Sequence, residues 1–468
     1  MKIFRTKSTT PGDFDHTGLH KCLSAFDLTF LGIGAIIGTG IFVLTGIAAA
    51  TQAGPAVVLS FVIAGIACAF AALAYAELAA AVGGCGSAYG YSYVAFGELI
   101  AWIIGWDLIL EYGVATAAVA TGWAGYFNNA LTAVGLALPN ALTKAPMQGG
   151  IINLPAAGIV LILMVLLMLG MRESARTNMV MVFVKLLTIG VFISVAAFHV
   201  NPENWTPFMP FGWSGQSPDG KPVGVLAGAA MVFFAYVGFD AVSTAAEEAK
   251  NPQRDVPFGI IFSLVFCTAI YIVVAGLLTG MVPYTQLNVP SPVAHSLHLI
   301  GVNWASALVA TGVIAGLTTV MLVLYYGLTR VFFAMSRDGL LPPFFAEVHP
   351  KTQTPVRVIA ICGLLISLIA GFIPLGELAE LVNIGTLAAF VLVCLGVVVL
   401  RIKQPDLPRP FKNPLNPVFP LLGAFSCSGL MAFLPWTTWV RFAVWLGIGV
   451  LVYFSYSIHH SKLQKHSA

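Results

Sequence analysis

Most of the chain is divided into apolar segments of nearly the length that is needed to cross a lipid bilayer. A helix needs about 20 apolar residues to cross the hydrocarbon core. Because lipid offers the backbone no hydrogen-bond partner, each segment is predicted to be α-helical. The predicted fold class is therefore an all-α membrane protein with twelve transmembrane helices. The predicted spans are residues 28–51, 55–82, 98–128, 153–171, 176–200, 223–247, 257–282, 304–335, 355–374, 377–400, 415–434 and 436–457.

The composition supports a bilayer as the main solvent of this chain. Charged residues make up only 9% of its 468 residues, and hydrophobic residues make up 58%. A soluble domain carries about 25% charged residues, so these few cannot form a water-facing surface. Residues 1–27 are polar and contain no apolar stretch of the kind found in a cleavable signal peptide.

The positions of lysine and arginine predict the orientation. Both residues concentrate in the cytoplasmic loops of membrane proteins. With the N-terminus inside, three of the 22 fall outside (Lys144, Lys221 and Arg441) and Lys185 lies within a span, which leaves 18 inside. We therefore predict a multi-pass protein of the inner (plasma) membrane with both termini in the cytoplasm.

Two spans carry signs of a broken helix. The first contains four glycines in LGIGAIIGTGIF, and the sixth contains Gly238 beside Asp240 in FFAYVGFDA. Each glycine weakens a helix by about 1 kcal/mol relative to alanine. The spans are five apart, so a second five-helix unit would enter the membrane with opposite topology, and paired breaks of this kind indicate a transporter binding site. The alternative is that the glycines only permit close helix packing.

This organisation predicts six regions. They are a cytoplasmic N-terminal segment (1–27), a first five-helix repeat (28–200), an extracellular loop (201–222), a second five-helix repeat (223–403), two further helices (404–457) and a cytoplasmic tail (458–468).

Three segments resemble signatures of the amino acid–polyamine–organocation superfamily. They are FDLTFLGIGAIIGTGIFVLTG, FFAYVGFDAVSTAAEEAKNPQRDVPFGI and TRVFFAMSRDGLLP, and the branch they most resemble is the bacterial relatives of the cationic amino acid transporters. The resemblance implies a LeuT-like fold of two inverted five-helix repeats plus two extra helices, with the first and sixth helices broken. It also implies an L-amino acid substrate, often coupled to a proton.

An amino acid zwitterion needs an anion site and a cation site close together, and a broken helix supplies both. Free N–H groups and the positive dipole end suit a carboxylate, and free carbonyls suit an ammonium. We expect the carboxylate at the backbone of Gly38, Thr39 and Gly40. We expect the ammonium at the carbonyls of Ile36, Phe234, Ala235 and Val237. The resemblance also implies that Phe234 forms an aromatic gate and that Leu324 lines the pocket. A lipid-facing or packing role is the alternative for Phe234, one of 32 phenylalanines in the chain.

Lys185 lies about nine residues into the fifth span, or roughly 13 Å deep. A lysine at this depth normally faces the protein interior and serves a function, whereas snorkelling to the interface is the alternative. Its charge responds to its surroundings. We expect the protonated amine to bridge first-span carbonyls to the eighth span, where Thr318 and Thr319 are its expected partners, and to couple a proton to transport. Members of the family with a lysine here support this expectation.

Glu111 lies near the middle of the third span and is the weaker candidate for proton coupling. A carboxyl group at this depth should face protein rather than lipid. Pairing with Lys185, a proton relay and bonding to neighbouring backbone groups are all open, and structural pairing ranks slightly ahead of relay.

The predicted function is a secondary active transporter that imports L-amino acids by proton symport with alternating access. Small or medium neutral amino acids are preferred, because no unpaired acidic residue stands out near the expected pocket. An exchanger and a cationic amino acid transporter are alternatives, and an amino acid sensor is a weaker one. The sequence contains no HExxH motif, no GxSxG motif and no cluster with metal-ligand spacing, so no motif indicates an enzyme, a metal or a cofactor. It also contains no filter motif that would indicate a channel.

The expected partners are the substrate, a proton and the lipid bilayer, with no nucleic acid. A disulfide-linked heavy chain is not expected, because the predicted outside loop between the third and fourth spans contains no cysteine.

Overall fold

The computed structural model describes residues 5–6, 23–82, 87–170, 175–349, 352 and 354–465, and these are mostly helical. The α-helices are α1 Ala25–Ile36, α2 Thr45–Ala48, α3 Val57–Ala81, α4 Ser87–Ala95, α5 Glu98–Ala133, α6 Asn140–Thr143, α7 Leu154–Met168, α8 Ala175–Ala196, α9 Val225–Val232, α10 Ala241–Thr244, α11 Pro252–Met281, α12 Pro292–Leu299, α13 Asn303–Arg337, α14 Val356–Phe372, α15 Leu375–Lys403, α16 Val418–Ala432, α17 Trp436–Val452, α18 Ile458–His460 and α19 Lys462–Lys465.

Shorter helical turns join or extend these helices. Three turns are π-helical, at Gly40–Leu44, Ala49–Ala53 and Tyr453–Ser457. Turns of 3-10 helix lie at Gly54–Ala56, Pro146–Gln148, Pro202–Trp205, Phe233–Tyr236, Ala246–Glu248, Tyr284–Gln286 and Pro343–Ala346. Two short strands, β1 (Gly215–Gln216) and β2 (Pro222–Val223), form an antiparallel hairpin in which Gly215 pairs with Val223.

Within the described part of the chain, eight helical stretches are long and apolar enough to cross a membrane, and three shorter apolar helices (α7, α14 and α16) accompany them. The first stretch, Ala25–Ala81, has 57 residues. Since a crossing takes about 20 residues, it is long enough for two. Within it a 3-10 turn begins at Gly54, whose φ of +64° is one that L side chains rarely adopt, and Pro55 follows.

The outer surface is apolar where a soluble protein would be polar. On α8, Phe183 is 57% exposed and Leu187 is 66% exposed, whereas Lys185 between them is 1% exposed. The peripheral helices α14 and α16 likewise expose Leu365 and Phe425. Apolar faces of this kind need a cover, and the bilayer supplies it. The protein is an all-α, multi-pass membrane protein.

The contacts between helices are related in pairs. If each of the first five spans is exchanged with the span five positions later in the chain, one observed contact becomes another observed contact or itself. Helix α1 packs on α11, and the first helix of the sixth span, α9, packs on α3. Helix α8 packs on α13, and correspondingly α15 packs on α5. The pairs α7–α14, α3–α11 and α5–α13 each map onto themselves under the exchange. The two halves therefore make matching helix contacts.

Several elements lie outside the predicted spans. Helix α4 follows the second span, α12 precedes the eighth, and the β1–β2 hairpin lies around the end of the predicted extracellular loop. The hydroxyl of Tyr89 on α4 donates a hydrogen bond to Asp338, at 2.6 Å, which ties α4 to the end of α13. Most of residues 1–27 and the end of the predicted tail lie outside the described residues.

Candidate functional site

The helix of the first span is interrupted at residues 37–39. Helix α1 begins with a capping box, in which Ser24 and Asp27 bond reciprocally to each other's backbone N–H. It ends at Ile36, and Ile37 is extended. Helical structure resumes at Gly40 as a π-helical turn. The glycines predict a break at Gly38–Gly40, which overlaps the observed interruption.

The interruption frees carbonyls at the end of α1, because the last four carbonyls of a helix have no partner within it. Three of these carbonyls accept hydrogen bonds from donors outside α1. The Ile33 carbonyl accepts from the N–H of Ile37, at 3.0 Å. The Gly34 carbonyl accepts from Lys185 Nζ, at 2.6 Å, and the Ile36 carbonyl accepts from the Tyr271 hydroxyl, at 2.8 Å. Two of these partners come from other spans, so the break is an assembly point for the bundle.

The sixth span is interrupted in a similar way. Helix α9 passes into the 3-10 turn Phe233–Tyr236, and α10 begins only at Ala241. Between them, Gly238 has φ +113°, which favours glycine. A Cβ at Gly238 would lie 3.0 Å from the Ala35 carbonyl oxygen, so only glycine lets this backbone approach α1 closely.

The two interruptions touch each other. A Cβ added at Gly40 would lie 2.2 Å from Ala235 Cα and 2.8 Å from its backbone nitrogen. By contrast, a Cβ at Gly38 would make an ordinary contact of 3.6 Å with Val320 on α13. The structure therefore brings the predicted carboxylate segment and the predicted ammonium segment together in the protein interior.

Tyr271 on α11 joins the two interruptions. Its hydroxyl lies 2.8 Å from the Ile36 carbonyl oxygen and 3.0 Å from the Ala235 carbonyl oxygen. The side chain is fully buried, and the ring lies edge-on to Tyr236. Sequence reasoning missed this residue, although a tyrosine inside an apolar span is a signal, because its hydroxyl needs a partner when buried.

The other predicted pocket residues are buried around the same point. Thr39 is fully buried, and its hydroxyl oxygen has no hydrogen-bond partner among the described residues. Phe234 and Val237 are 6% and 8% exposed, and the Phe234 carbonyl accepts from the Val237 N–H at 3.2 Å. Leu324 is 4% exposed and lies one helical turn after Val320, the residue that faces Gly38.

Lys185 is buried between α1 and α13. Its Nζ donates to the Gly34 carbonyl, in the last turn of α1. A cation at this position is favoured by the negative end of the helix dipole. The aliphatic stem packs on Gly316 of α13, where an added Cβ would lie 2.9 Å from Lys185 Cγ. The lysine therefore contacts both the first and the eighth span.

Two glycines allow α8 and α13 to approach closely. A Cβ at Gly312 would lie 2.0 Å from the Thr188 hydroxyl oxygen, just as one at Gly316 would meet Lys185. Glycines four residues apart form one small-residue stripe on a helix, which is typical of tight packing in membranes. The sequence GVIAG contains this spacing, but our sequence reasoning did not use it.

Thr318 and Thr319, the expected partners of Lys185, both donate to backbone carbonyls of α13. Thr318 donates to Ile314 at 2.8 Å and accepts from Trp123 Nε1 at 3.1 Å. Thr319 donates to Gly316 at 2.8 Å, which places its hydroxyl next to the residue on which the Lys185 stem packs.

Glu111 lies in a buried acidic group rather than in an apolar surrounding. Its electrostatic neighbours include Asp107, one turn earlier on α5, and Asp240 from the sixth span. All three are at most 2% exposed. The Tyr112 hydroxyl lies 3.3 Å from an Asp240 carboxylate oxygen and links α5 to the end of the sixth-span interruption. The acidic group therefore lies between α5 and the interrupted sixth span.

Polar contacts connect several segments on the side of the bundle that is predicted to face the cytoplasm. Glu98, 1% exposed, accepts hydrogen bonds from the hydroxyls of Tyr93, Tyr453 and Ser461. Glu248 pairs with Arg330 at 3.4 Å. These contacts join segments from both halves of the chain and the start of the predicted tail.

The lipid-facing exterior and the paired interruptions in its interior define a multi-pass membrane transporter. The chain belongs to the amino acid permease family, whose family model matches residues 23–455.

Known relatives agree with this membership. The chain is 52% identical to the branched-chain amino acid permease BcaP of Bacillus subtilis (strain 168) over 99% of each chain. It is 50% identical to the methylthioribose transporter of the same organism, again over 99% of each chain. The human cationic amino acid transporter 4 is 39% identical over a match that covers 84% of this chain and 62% of that longer protein. These relatives are transporters rather than enzymes.

Proposed function

We propose that this protein is a secondary active transporter that imports small or medium neutral L-amino acids by proton symport. The observation that carries the proposal is the contact between the two interruptions, Gly40 against Ala235, with freed carbonyls of both spans directed at one hydroxyl. A site built from backbone N–H and carbonyl groups suits the charged ends common to all α-amino acids.

The proposed architecture has twelve membrane-crossing helices, arranged as two inverted five-helix repeats plus α16 and α17. The exchange-symmetric packing supports it, since α1–α11 is matched by α9–α3 and α8–α13 by α15–α5. Five spans per repeat reverse the direction of the second repeat, which permits alternating access by movement of one unit against the other. Both termini are placed in the cytoplasm on the basis of the lysine and arginine distribution.

In the proposed bound state the backbone of Gly38, Thr39 and Gly40 holds the substrate carboxylate. The ammonium is held by the carbonyls of Ile36, Phe234, Ala235 and Val237. Because an ammonium carries three donors, it can bond to carbonyls that Tyr271 engages in the structure described here. Phe234 closes over the substrate, and Leu324 lines the space for its side chain.

Lys185 is proposed to carry the coupling proton, with Glu111 as a secondary group. When the amine is protonated, it holds the Gly34 carbonyl and thereby the end of α1 that presents Ile36 to the substrate. When the amine is neutral, it has no charge to offer the helix end and the contact weakens. Proton and substrate then favour the same arrangement of α1, which is what coupling between two sites requires.

The relatives bear on the substrate in different ways. One relative is named as a branched-chain amino acid permease, and another is named as a methylthioribose transporter. A branched-chain amino acid fits an apolar pocket with Leu324 and Phe234, and it presents both charged ends. A thiosugar presents neither charge, so it would leave the proposed backbone groups unmatched.

Radiolabelled uptake into proteoliposomes that contain the purified protein tests this proposal. We expect uptake of L-leucine and L-alanine, with competition by L-arginine only at higher concentration. Competition by L-arginine at a lower concentration than L-alanine would indicate a cationic transporter. Uptake of methylthioribose without uptake of any amino acid would reject the proposed substrate class. Uptake only when amino acid is preloaded inside would indicate an exchanger.

A further inference from the structure

A cavity of about 550 Å³ opens beside the loops that are predicted to be extracellular. Val43 and Ile47, which follow the interruption in the first span, form part of its wall. Gly122 of α5 also lines it, and a Cβ there would lie 2.6 Å from Thr39 Cγ2. Gly122 therefore lines the cavity and packs against Thr39 of the proposed carboxylate site.

The lining of this cavity is mixed apolar and polar, and it carries no carboxylate among the described residues that form it. Six carboxamide side chains line it together with several hydroxyl groups. Lys144, from the segment between α5 and α7, supplies a positive charge, and His295 of α12 is the other basic side chain. Burial, with His298 nearby, lowers the pKa of His295, so the imidazole adds little positive charge to the lining near neutral pH.

One carboxamide of the lining has a side-chain oxygen without a hydrogen-bond partner among the described residues. It is the buried side-chain oxygen of Asn128. A buried acceptor without a partner is costly unless a ligand or water satisfies it. The neighbouring Asn129 differs, since its amide donates to the Ser291 hydroxyl at 3.2 Å. The cavity thus offers a cation for a carboxylate, and its carboxamide side chains carry oxygens that can accept from an ammonium.

We propose that this cavity is a vestibule site that binds a zwitterionic α-amino acid, chiefly through the attraction between Lys144 and the substrate carboxylate, before the substrate reaches the interrupted helices. The inference rests on the proposed function and adds to it a selectivity step. A positive lining without acidic groups repels a substrate with a net positive charge and admits a neutral zwitterion.

Occupancy of the vestibule can be measured without transport. A Thr143→Cys variant places a thiol in the lining next to Lys144, and its labelling by a membrane-impermeant maleimide is followed in the purified full-length protein. The parent protein gives the background from its own cysteines. L-leucine is expected to slow the labelling, whereas L-leucinamide, which lacks the carboxylate, is expected not to.

The charge of Lys144 is tested in the same assay. Adding Lys144→Glu should raise the concentration of L-leucine for half-maximal protection about threefold or more, the scale of an exposed ion pair that is reversed. Lys221→Glu, a charge reversal at another lysine on the predicted outside, serves as the matched control and should leave protection unchanged.

Three results overturn the vestibule: no protection by L-leucine, equal protection by L-leucinamide, or equal effects of Lys144→Glu and Lys221→Glu. Uptake by the parent protein is measured on the same preparation. Uptake without protection rejects the vestibule alone, whereas protection that depends on Lys144 without any uptake supports the vestibule and rejects the proposed transport.

Discussion

The phenol hydroxyl of Tyr271 lies 2.8 Å from the carbonyl oxygen of Ile36, at the point where the first span stops being helical. The same hydroxyl is 3.0 Å from the carbonyl of Ala235 in the sixth-span interruption. A hydroxyl carries a single proton, so it donates fully to only one of the two carbonyls at a time. Tyr271 therefore holds both interruptions in register while leaving acceptor capacity for a substrate ammonium.

Removal of this hydroxyl should loosen the proposed site. For Tyr271→Phe we expect the KM for L-leucine uptake to rise by up to about tenfold, because each such hydrogen bond contributes about 0.5–1.5 kcal/mol. Tyr236→Phe is the matched control, since the Tyr236 hydroxyl donates to the Phe61 carbonyl, away from the first-span break. Equal kinetics for the two variants would mean that Tyr271 only fills space.

Contact between the interruptions can be tested with a pair of glycine substitutions. Gly40→Ala introduces a Cβ 2.2 Å from Ala235 Cα, and overpacking of this kind costs about 1–3 kcal/mol. We expect it to reduce L-leucine uptake by about tenfold or more. Gly38→Ala, whose Cβ meets Val320 at 3.6 Å, should retain much more activity. If the two variants transport equally well, the interruptions need not touch for function.

The crossing of α8 and α13 makes a prediction about stability. A Cβ at Gly312 would lie 2.0 Å from the Thr188 hydroxyl oxygen, so Gly312→Ala should destabilise the protein by about 1–3 kcal/mol. At Gly190, in α8, nothing lies within 4 Å of an added Cβ, and alanine there should be neutral or slightly stabilising. Thermal unfolding in detergent compares them. Equal melting temperatures would show that the helices separate readily at this point.

Local features of the sequence predict much of the fold. The apolar runs predicted the long membrane helices, because a bilayer imposes both length and internal hydrogen bonding on them. Glycine content located both interruptions to within a few residues, since glycine is weak in helices wherever they lie. Short elements such as α4 and α12 were not predicted, because their few residues give no clear period.

Partners between distant segments were harder to predict. Lys185 was expected to reach carbonyls of the first span, but nothing local to the sequence selects Gly34 as the acceptor. Tyr271 was not singled out, because the Ile36 carbonyl that its hydroxyl contacts lies 235 positions away in the sequence. Such contacts depend on how whole helices pack, and one sequence records only the residues that make them. The roles of both residues in transport remain predictions.

The most direct test of the account is concentrative uptake driven by an imposed pH gradient in proteoliposomes. The parent protein should accumulate L-leucine above its outside concentration when the outside is acidic, without sodium. Lys185→Ala should still exchange L-leucine across the membrane but should not concentrate it, and Lys185→Arg should also fail, because guanidinium stays protonated at working pH. Thr188→Ala, on the same helix, should keep coupling. Accumulation by Lys185→Ala in response to the gradient would contradict the account, as would a requirement of the parent protein for sodium.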